Sequence, residues 1–113
     1  MGAPSVGDVV LILFPYSDLS KSKRRPALVL ADVGIGDYVL CQITSKPYAD
    51  TKAVPLSDKD FAHGSLSRES YIRIGKLFTA NEAIILGAAG TLKSSKLTEV
   101  VTALVNLLLT SLR

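Results

Sequence analysis

Three nearly continuous apolar runs dominate the first half of the chain. They cover Val9–Phe14, Ala27–Ala31 and Tyr38–Thr44 and contain many β-branched residues. Such runs are typical of strands that are buried on both faces, one against the core and the other against a helix or a partner subunit. A polar loop that follows Pro15 and a turn at Gly34–Asp37 separate the runs. The spacing therefore predicts a meander of three antiparallel strands.

The later apolar segments are shorter. Ala53–Leu56 predicts a short strand, and Pro55 places it at a sheet edge because proline has no backbone N–H to donate. Ser70–Ile74 alternates between apolar and polar residues, as a half-buried strand does. Ile84–Leu86 is a last short apolar piece, and His63–Gly64 predicts a turn.

The end of the chain has a different, helical period. Apolar residues recur at helical spacing at Leu97, Val100, Val101, Leu104, Val105 and Leu108. Ser94 or Ser95 is a suitable N-cap for this helix. The stripe predicts packing across the mouth of a barrel, with part of the excess apolar surface at a dimer contact. Short antiparallel strands and one terminal helix together predict a mainly β fold, as a small, strongly bent sheet or barrel.

Composition restricts the class of protein. The chain has 113 residues, 48% of them hydrophobic and 20% charged, which indicates one packed globular domain. Cys41 is the single cysteine, so we expect a core thiol, no disulfides and a reducing, cytoplasmic location. The first residues lack the charge and apolar block of a signal peptide, and no segment is long enough to span a membrane.

Basic residues are concentrated between the first two strands. Four of the thirteen lysines and arginines lie at positions 21, 23, 24 and 25, and the net charge is +3. This density is typical of a surface that binds a phosphate-bearing partner. A solvated basic hairpin without a ligand is the alternative interpretation.

Several short motifs, in this order and spacing, resemble the toxins of the MazF/PemK type. They are Gly7–Val10, Arg24–Val29, Gln42–Ser45, Lys76–Thr79 and Gly90–Leu92. The resemblance covers about residues 7–110, so residues 1–113 are interpreted as one toxin domain. It implies an SH3-like antiparallel β-barrel (MazF/PemK/CcdB-like) with a C-terminal helix.

The resemblance also implies partners and an activity. The expected protein is a homodimer that cleaves single-stranded RNA without a metal or other cofactor. A cognate antitoxin would block the RNA groove, and operator DNA would be bound only through the antitoxin complex. DNA lacks the 2′-OH that serves as the nucleophile, so DNA in the groove would not be cut.

The same resemblance identifies Arg25 and Thr44 as the catalytic residues. A guanidinium presents a planar fork of donors that matches phosphate oxygens, and the Thr44 hydroxyl is suited to donate to the same oxygens. The expected RNA-binding residues are Tyr16, Ser20, Lys21, Lys23, Arg24, Ser45, Lys46 and Arg73. Phe14, Tyr16 and Tyr48 are candidates for stacking on bases.

Two departures from the family pattern remove candidate general bases. Relatives can carry an acidic residue at the positions of Ser20 and Gly75. His63 has a suitable unperturbed pKa, but its glycine-containing segment favours an ordinary loop histidine. No cluster of His, Cys and Asp has metal-ligand spacing.

Three functional classes follow from the sequence. The first is the endoribonuclease toxin, and the second is a catalytically weak or inactive SH3-like module that binds nucleic acid or protein. The third is a gyrase poison with the same barrel. That third class depends on a C-terminal tryptophan, and the chain has no tryptophan and ends in Ser111-Leu112-Arg113, which disfavours it.

Overall fold

A computed structural model of the protein describes residues 3–15, 22–47 and 49–112. In these ranges the chain forms seven strands and one α-helix, with 3-10 turns at Asp58–Asp60 and Glu82–Ile84. The strands and helix are β1 Asp8–Pro15, β2 Ser22–Gly34, β3 Asp37–Thr44, β4 Val54–Leu56, β5 Phe61–Gly64, β6 Ser70–Asn81, β7 Ile85–Leu92 and α1 Ser94–Thr110.

The strands form one antiparallel sheet in the order β4-β6-β3-β2-β1-β7-β5. The sheet curls into a half-barrel, and α1 packs against it. This confirms the predicted mainly β fold with its C-terminal helix, and it confirms the meander of the first three strands. β4 lies at one edge, as Pro55 predicts.

The central strands are buried on both faces, as their unbroken apolar runs predict. Val9 pairs with Leu28, and both belong to the core that also receives α1. The next pair, Val10 and Ala27, belongs to a second core on the opposite face. Because strand side chains alternate between faces, a slip of one residue would exchange the two cores. The pairing register is therefore strongly specified.

Cys41 lies in the first of these cores and has no exposed surface. Burial raises the pKa of its thiol to about 12. The thiol therefore stays protonated at neutral pH and behaves as a small apolar side chain, as predicted.

Two strands are longer than their apolar patterns predict. β2 begins at Ser22, so the basic residues at 23–25 lie in a strand and not in a turn, because pairing with β1 continues to Pro15 and Ser22. β6 continues past Ile74 to Asn81. Residues 74–76 form a bulge in β6, since Gln42 pairs with Arg73 but the preceding Cys41 pairs with Leu77.

The predicted turn at His63–Gly64 is wrong, because both residues belong to β5, which pairs with β7. Two glycines permit this pairing. A Cβ on Gly64 would overlap the carbonyl oxygen of Ala89, and a Cβ on Gly90 would overlap that of His63. Gly64 also has φ +74°, which favours glycine. The two backbones therefore approach more closely than side chains would allow.

The helix is confirmed, but its predicted N-cap is wrong. Its N-cap is Lys93, and Ser94 and Ser95 lie in the first turn. The apolar stripe divides into a packed part and an exposed part. Val100 is fully buried, with Leu97, Leu104 and Leu107 partly buried beside it. Apolar side chains that remain exposed are Val101, Val105, Leu108, Leu109 and Leu112. Among the described residues, no helix has both the length and the apolarity needed to cross a membrane.

Candidate active site

The strand register brings Arg25 and Thr44 to one face of the sheet. Ala27 on β2 is paired with Gln42 on β3, and every second residue of a strand lies on the same face. Arg25 is two positions before Ala27, and Thr44 is two positions after Gln42. In an antiparallel pair these two steps run in the same direction, so Arg25 and Thr44 lie on neighbouring strands at the same end of that face.

Both residues line a pocket of about 330 Å³. Of the predicted site residues, the pocket brings together Arg24, Arg25, Thr44, Ser45 and Lys46. The rest of the lining consists of Leu11, Pro26, Ile43, Leu66, Arg68 and Ser70. The pocket therefore lies between the central strands and the segment that connects β5 to β6.

The electrostatics of this pocket suit a polyanion. Four of the lining residues are cations, namely Arg24, Arg25, Lys46 and Arg68, and the described lining includes no carboxylate or imidazole. Ion pairs in the described part of the chain use other cations, Arg73 and Lys96. Several uncompensated positive charges around one concave surface concentrate phosphate groups there.

Thr44 is held by its own turn. Its side chain is nearly buried, with 7% of the residue exposed. The Thr44 Oγ1 accepts a hydrogen bond from the Lys46 backbone N–H at 3.1 Å and donates to the Lys46 carbonyl at 3.1 Å. The N–H fixes the position of the oxygen. Rotation of the hydroxyl hydrogen away from the carbonyl would let Thr44 donate to a phosphoryl oxygen without moving the oxygen.

Arg73 lies outside the pocket lining. Its Nε donates to the Asp50 carboxylate at 2.9 Å, and its Nη1 donates to the Gln42 side chain at 3.4 Å. The contact with Asp50 ties the loop segment at 49–53, which precedes β4, to β6. The structure thus gives Arg73 a role in positioning this loop, and its RNA contact stays a prediction.

The ion pair with Arg73 makes Asp50 a source of pH-dependent stability. The hydrogen bond from Arg73 lowers the pKa of the Asp50 carboxyl, with smaller contributions from backbone N–H groups. A depressed folded pKa stabilises the protein above the unfolded value of about 4, and this stabilisation is lost as the pH falls through the folded pKa. We expect the difference in Tm between wild type and Asp50→Asn to shrink as the pH is lowered from about 6 to about 3.

Thermal unfolding followed by circular dichroism across this pH range would measure the difference. Asp32→Asn is the matched control, since Asp32 is exposed and has no ion pair among the described residues. A difference between wild type and Asp50→Asn that stays constant with pH would contradict the assignment.

Several predicted residues lie outside the described residues. These are Tyr16, Ser20, Lys21 and Tyr48, and the side chains of Phe14 and Lys23. Their predicted contacts with RNA stay predictions. Gly75 is exposed in the bulge of β6, where an added Cβ would meet no atom within 4 Å. His63 is exposed on β5 and does not line the pocket.

Sequence reasoning missed Arg68 and Ser70. The one local signal is an arginine in the polar segment Ser65–Glu69, which by itself indicates only a solvated loop. Arg68 lies in the same pocket as Arg25 because β5 pairs with β7. The sequence predicted a turn in place of β5. The wall of the pocket that contains Arg68 was therefore not predicted, because the short pairing of β5 with β7 was not predicted.

A larger cavity lies elsewhere and has the opposite character. It measures about 710 Å³, and its charged lining residues are Asp8 and Glu82, with no basic residue. Two carboxylates would repel a phosphate-bearing ligand. Among the described residues, no group of three or more His, Cys, Asp and Glu is placed to hold a metal ion. The smaller pocket is therefore the better candidate for phosphate chemistry.

A family of known proteins matches almost the whole chain. Residues 5–108 match the PemK-like, MazF-like toxins of type II toxin-antitoxin systems. The chain belongs to this family. The match spans nearly the whole sequence and includes every described residue that lines the cationic pocket. No curated protein matches the chain significantly.

Solved structures of MazF toxins share the fold. A MazE–MazF complex from Deinococcus radiodurans has a TM-score of 0.75 at 21% identity, covering 96% of this chain and 97% of that one. An endoribonuclease bound to its cognate antitoxin, from Mycobacterial species, has a TM-score of 0.69 at 19% identity, with coverage of 96% and 95%. The Mycobacterium tuberculosis toxin MazF-mt6 has a TM-score of 0.63 at 19% identity, with coverage of 86% and 93%.

Proposed function

We propose that this toxin-family protein is a metal-independent endoribonuclease that cleaves single-stranded RNA at specific sequences. The observation that carries the proposal is the pocket that Arg25 and Thr44 line together, with three further cations, Arg24, Lys46 and Arg68, around them. No described carboxylate or imidazole lines that pocket. The arrangement suits a substrate whose charge is carried by phosphates.

Cleavage would use the substrate's own nucleophile. The 2′-oxygen attacks the adjacent phosphorus, and the bond from phosphorus to the 5′-oxygen breaks. The products are a 2′,3′-cyclic phosphate and a 5′-OH, and the 2′ proton leaves while the 5′-oxygen gains one. Arg25 would stabilise the charge on the non-bridging oxygens, with the Thr44 hydroxyl as a further donor.

The described lining supplies charge and hydrogen-bond donors for this reaction. It contributes no group of the usual kind that would accept the 2′ proton. The rate enhancement would therefore come mainly from positioning the phosphate and stabilising its charge, which are large effects in phosphoryl chemistry.

The direct test is incubation with a long single-stranded RNA in the presence of a chelator, followed by mapping of fragment ends. Discrete cuts that leave 5′-OH ends are expected, and their positions give the recognition sequence. An all-2′-deoxy copy of the cleaved sequence should remain intact. Absence of cuts by a folded protein would overturn the proposal.

The second candidate function is a non-catalytic module that binds nucleic acid or protein. It is favoured by the absence of a proton acceptor from the described lining and by glycine at position 75. Equal affinity for an RNA and its all-2′-deoxy analogue, with no turnover of either, would support this alternative over the nuclease.

The proposed protein partner is a cognate antitoxin that covers the cationic pocket. Two of the similar structures contain an antitoxin, which supports this partner. We further propose that operator DNA is bound only through the toxin–antitoxin complex and that the protein acts in the cytoplasm. A mobility-shift assay with the operator should show binding by the complex and none by the toxin alone.

The proposed assembly is a homodimer that uses the exposed side of α1. Val105, Leu108 and Leu109 are 46%, 56% and 58% exposed, an apolar surface that a stable monomer seldom leaves in water. We expect Leu108→Lys to convert the dimer to monomer, because a buried lysine without a partner is costly at such a contact.

Sedimentation velocity over a range of protein concentrations would measure this change. Asn106→Lys adds the same charge at an exposed position of the helix outside the apolar row, and it should leave the dimer intact. A wild-type monomer, or a Leu108→Lys dimer as stable as wild type, would contradict the assignment.

A further inference from the structure

The segment Ser65–Glu69, here termed the β5–β6 loop, is fixed to the body of the protein. Leu66 packs against the first core. The Ser65 hydroxyl donates to the Asp58 carboxylate at 2.6 Å, and the Ser67 backbone N–H donates to the Ser65 hydroxyl at 2.7 Å. The backbone on both sides of Leu66 is therefore held in place, and Arg68 follows directly.

Arg68 itself forms no ion pair among the described residues. Its backbone carbonyl accepts a hydrogen bond from the Ser70 hydroxyl at 3.4 Å. Its side chain is exposed, lines the cationic pocket and takes part in no described ion pair. Arg68, whose backbone is held in place, thus lines a pocket that also contains three other cations.

Arg68 and Arg73 differ in their ion pairing. Arg73 uses its charge internally, on Asp50. Arg68 has an exposed carboxylate neighbour in sequence, Glu69, but the two form no ion pair. Like charges gathered at one pocket repel each other in the free protein, and a bound polyanion relieves that repulsion. Arg68 also borders a second pocket, together with Asp58 and Glu69, but it forms an ion pair with neither carboxylate. Its charge is therefore available to an anionic ligand.

We propose that Arg68 is a second phosphate-binding arginine, which holds the RNA phosphate next to the scissile one. This inference rests on the proposed function of the pocket. Arg25 and Thr44 come from neighbouring strands on one face, whereas Arg68 comes from the loop on the other wall. A single-stranded RNA carries one phosphate per nucleotide, so a strand that crosses the pocket presents a second phosphate to the second wall.

A contact with a non-reacting phosphate contributes mainly to substrate binding. Arg68→Ala should raise KM by about ten-fold and change kcat by less than about two-fold. The slope of log affinity against log salt should fall by about 1, the value for one lost phosphate contact. Arg68→Lys should restore the salt slope but not the full affinity, because an ammonium lacks the planar fork.

Binding is measured with an all-2′-deoxy oligonucleotide of the cleaved sequence, so that no turnover is needed. Without cleavage sites to define that sequence, a mixed-sequence deoxy oligonucleotide serves as the probe. Lys93→Ala is the matched control. It removes the same charge, and Lys93 is exposed and lies outside the pocket lining. Fluorescence anisotropy at several salt concentrations gives the affinity and the slope, and steady-state cleavage gives KM and kcat.

The outcomes separate this inference from the proposed function. If Arg68→Ala binds the oligonucleotide with the same affinity and salt slope as Lys93→Ala, the proposed role of Arg68 is overturned, whether or not wild type cleaves RNA. A fall in kcat at unchanged KM also overturns it, since a binding contact would act on KM. Wild type that binds the oligonucleotide but cuts no RNA refutes the nuclease, and the binding data still decide on Arg68. Wild type that binds no nucleic acid refutes both.

Discussion

Replacing Arg25 with alanine should lower the rate of RNA cleavage by about 100- to 1,000-fold, with the fold intact. Arg25 lies at the pocket on the same face as Thr44. Loss of one preorganised donor to a developing oxyanion costs about this much in other enzymes. Arg25 is only half-buried and is not part of either apolar core, so its removal leaves no large cavity. Single-turnover cleavage at saturating enzyme measures the loss.

Two companion variants make the result specific. Lys93→Ala removes the same charge outside the pocket and should cleave at close to the wild-type rate. Arg25→Lys keeps the charge but loses the bidentate fork, so it should recover only part of the activity. Full activity of Arg25→Ala in a protein with native circular dichroism would show that the active site lies elsewhere.

The largest expected effect on stability comes from Leu28→Ala. Leu28 has no exposed surface and lies between Val9 of β1 and Cys41 of β3 in the first core. Truncating a buried leucine typically costs about 2–5 kcal/mol, because it removes transfer free energy and leaves a cavity. The free energy of unfolding of a domain is usually only about 5–15 kcal/mol, so the variant should lose a large part of it.

Equilibrium unfolding in urea at one fixed protein concentration would measure this loss. Val33→Ala on the same strand is the control, since Val33 is 55% exposed and its truncation should change stability by about 0.5 kcal/mol or less. Equal urea midpoints for the two variants would mean that Leu28 does not lie in the buried core.

The apolar pattern predicted those elements whose burial is continuous. β1, the centre of β2, β3 and α1 all have long apolar runs or a clear helical period. β7 was missed beyond Leu86 because its remaining sequence is mostly glycine and alanine, with weak strand propensity. It forms a strand since β1 pairs with it on one side and β5 on the other. Such an element is specified by its neighbours more than by its own residues.

The candidate site was predictable only where it follows from local motifs. Arg25 and Thr44 come from short segments that resemble the toxin family, and the β2–β3 register then places them on one face. The ion pair of Arg73 with Asp50 joins residues 23 positions apart in the sequence, so no local sequence pattern predicts it. Arg68 reaches the pocket through the pairing of the edge strand β5 with β7. Contacts of this kind depend on how the strands pair in the folded sheet, and that pairing cannot be predicted from the local sequence.

The close approach of Gly64 and Gly90 bears on how mutational scans of this protein would be interpreted. A larger residue at either position forces β5 away from β7, and the Ser65 N–H that bonds to the Ala89 carbonyl moves with it. The displaced segment leads directly to Arg68. A scan scored by activity would therefore mark both glycines as functional positions, although neither lines the pocket. The loss of activity would then come from the displaced main chain of β5 and the β5–β6 loop, and not from a lost contact with substrate.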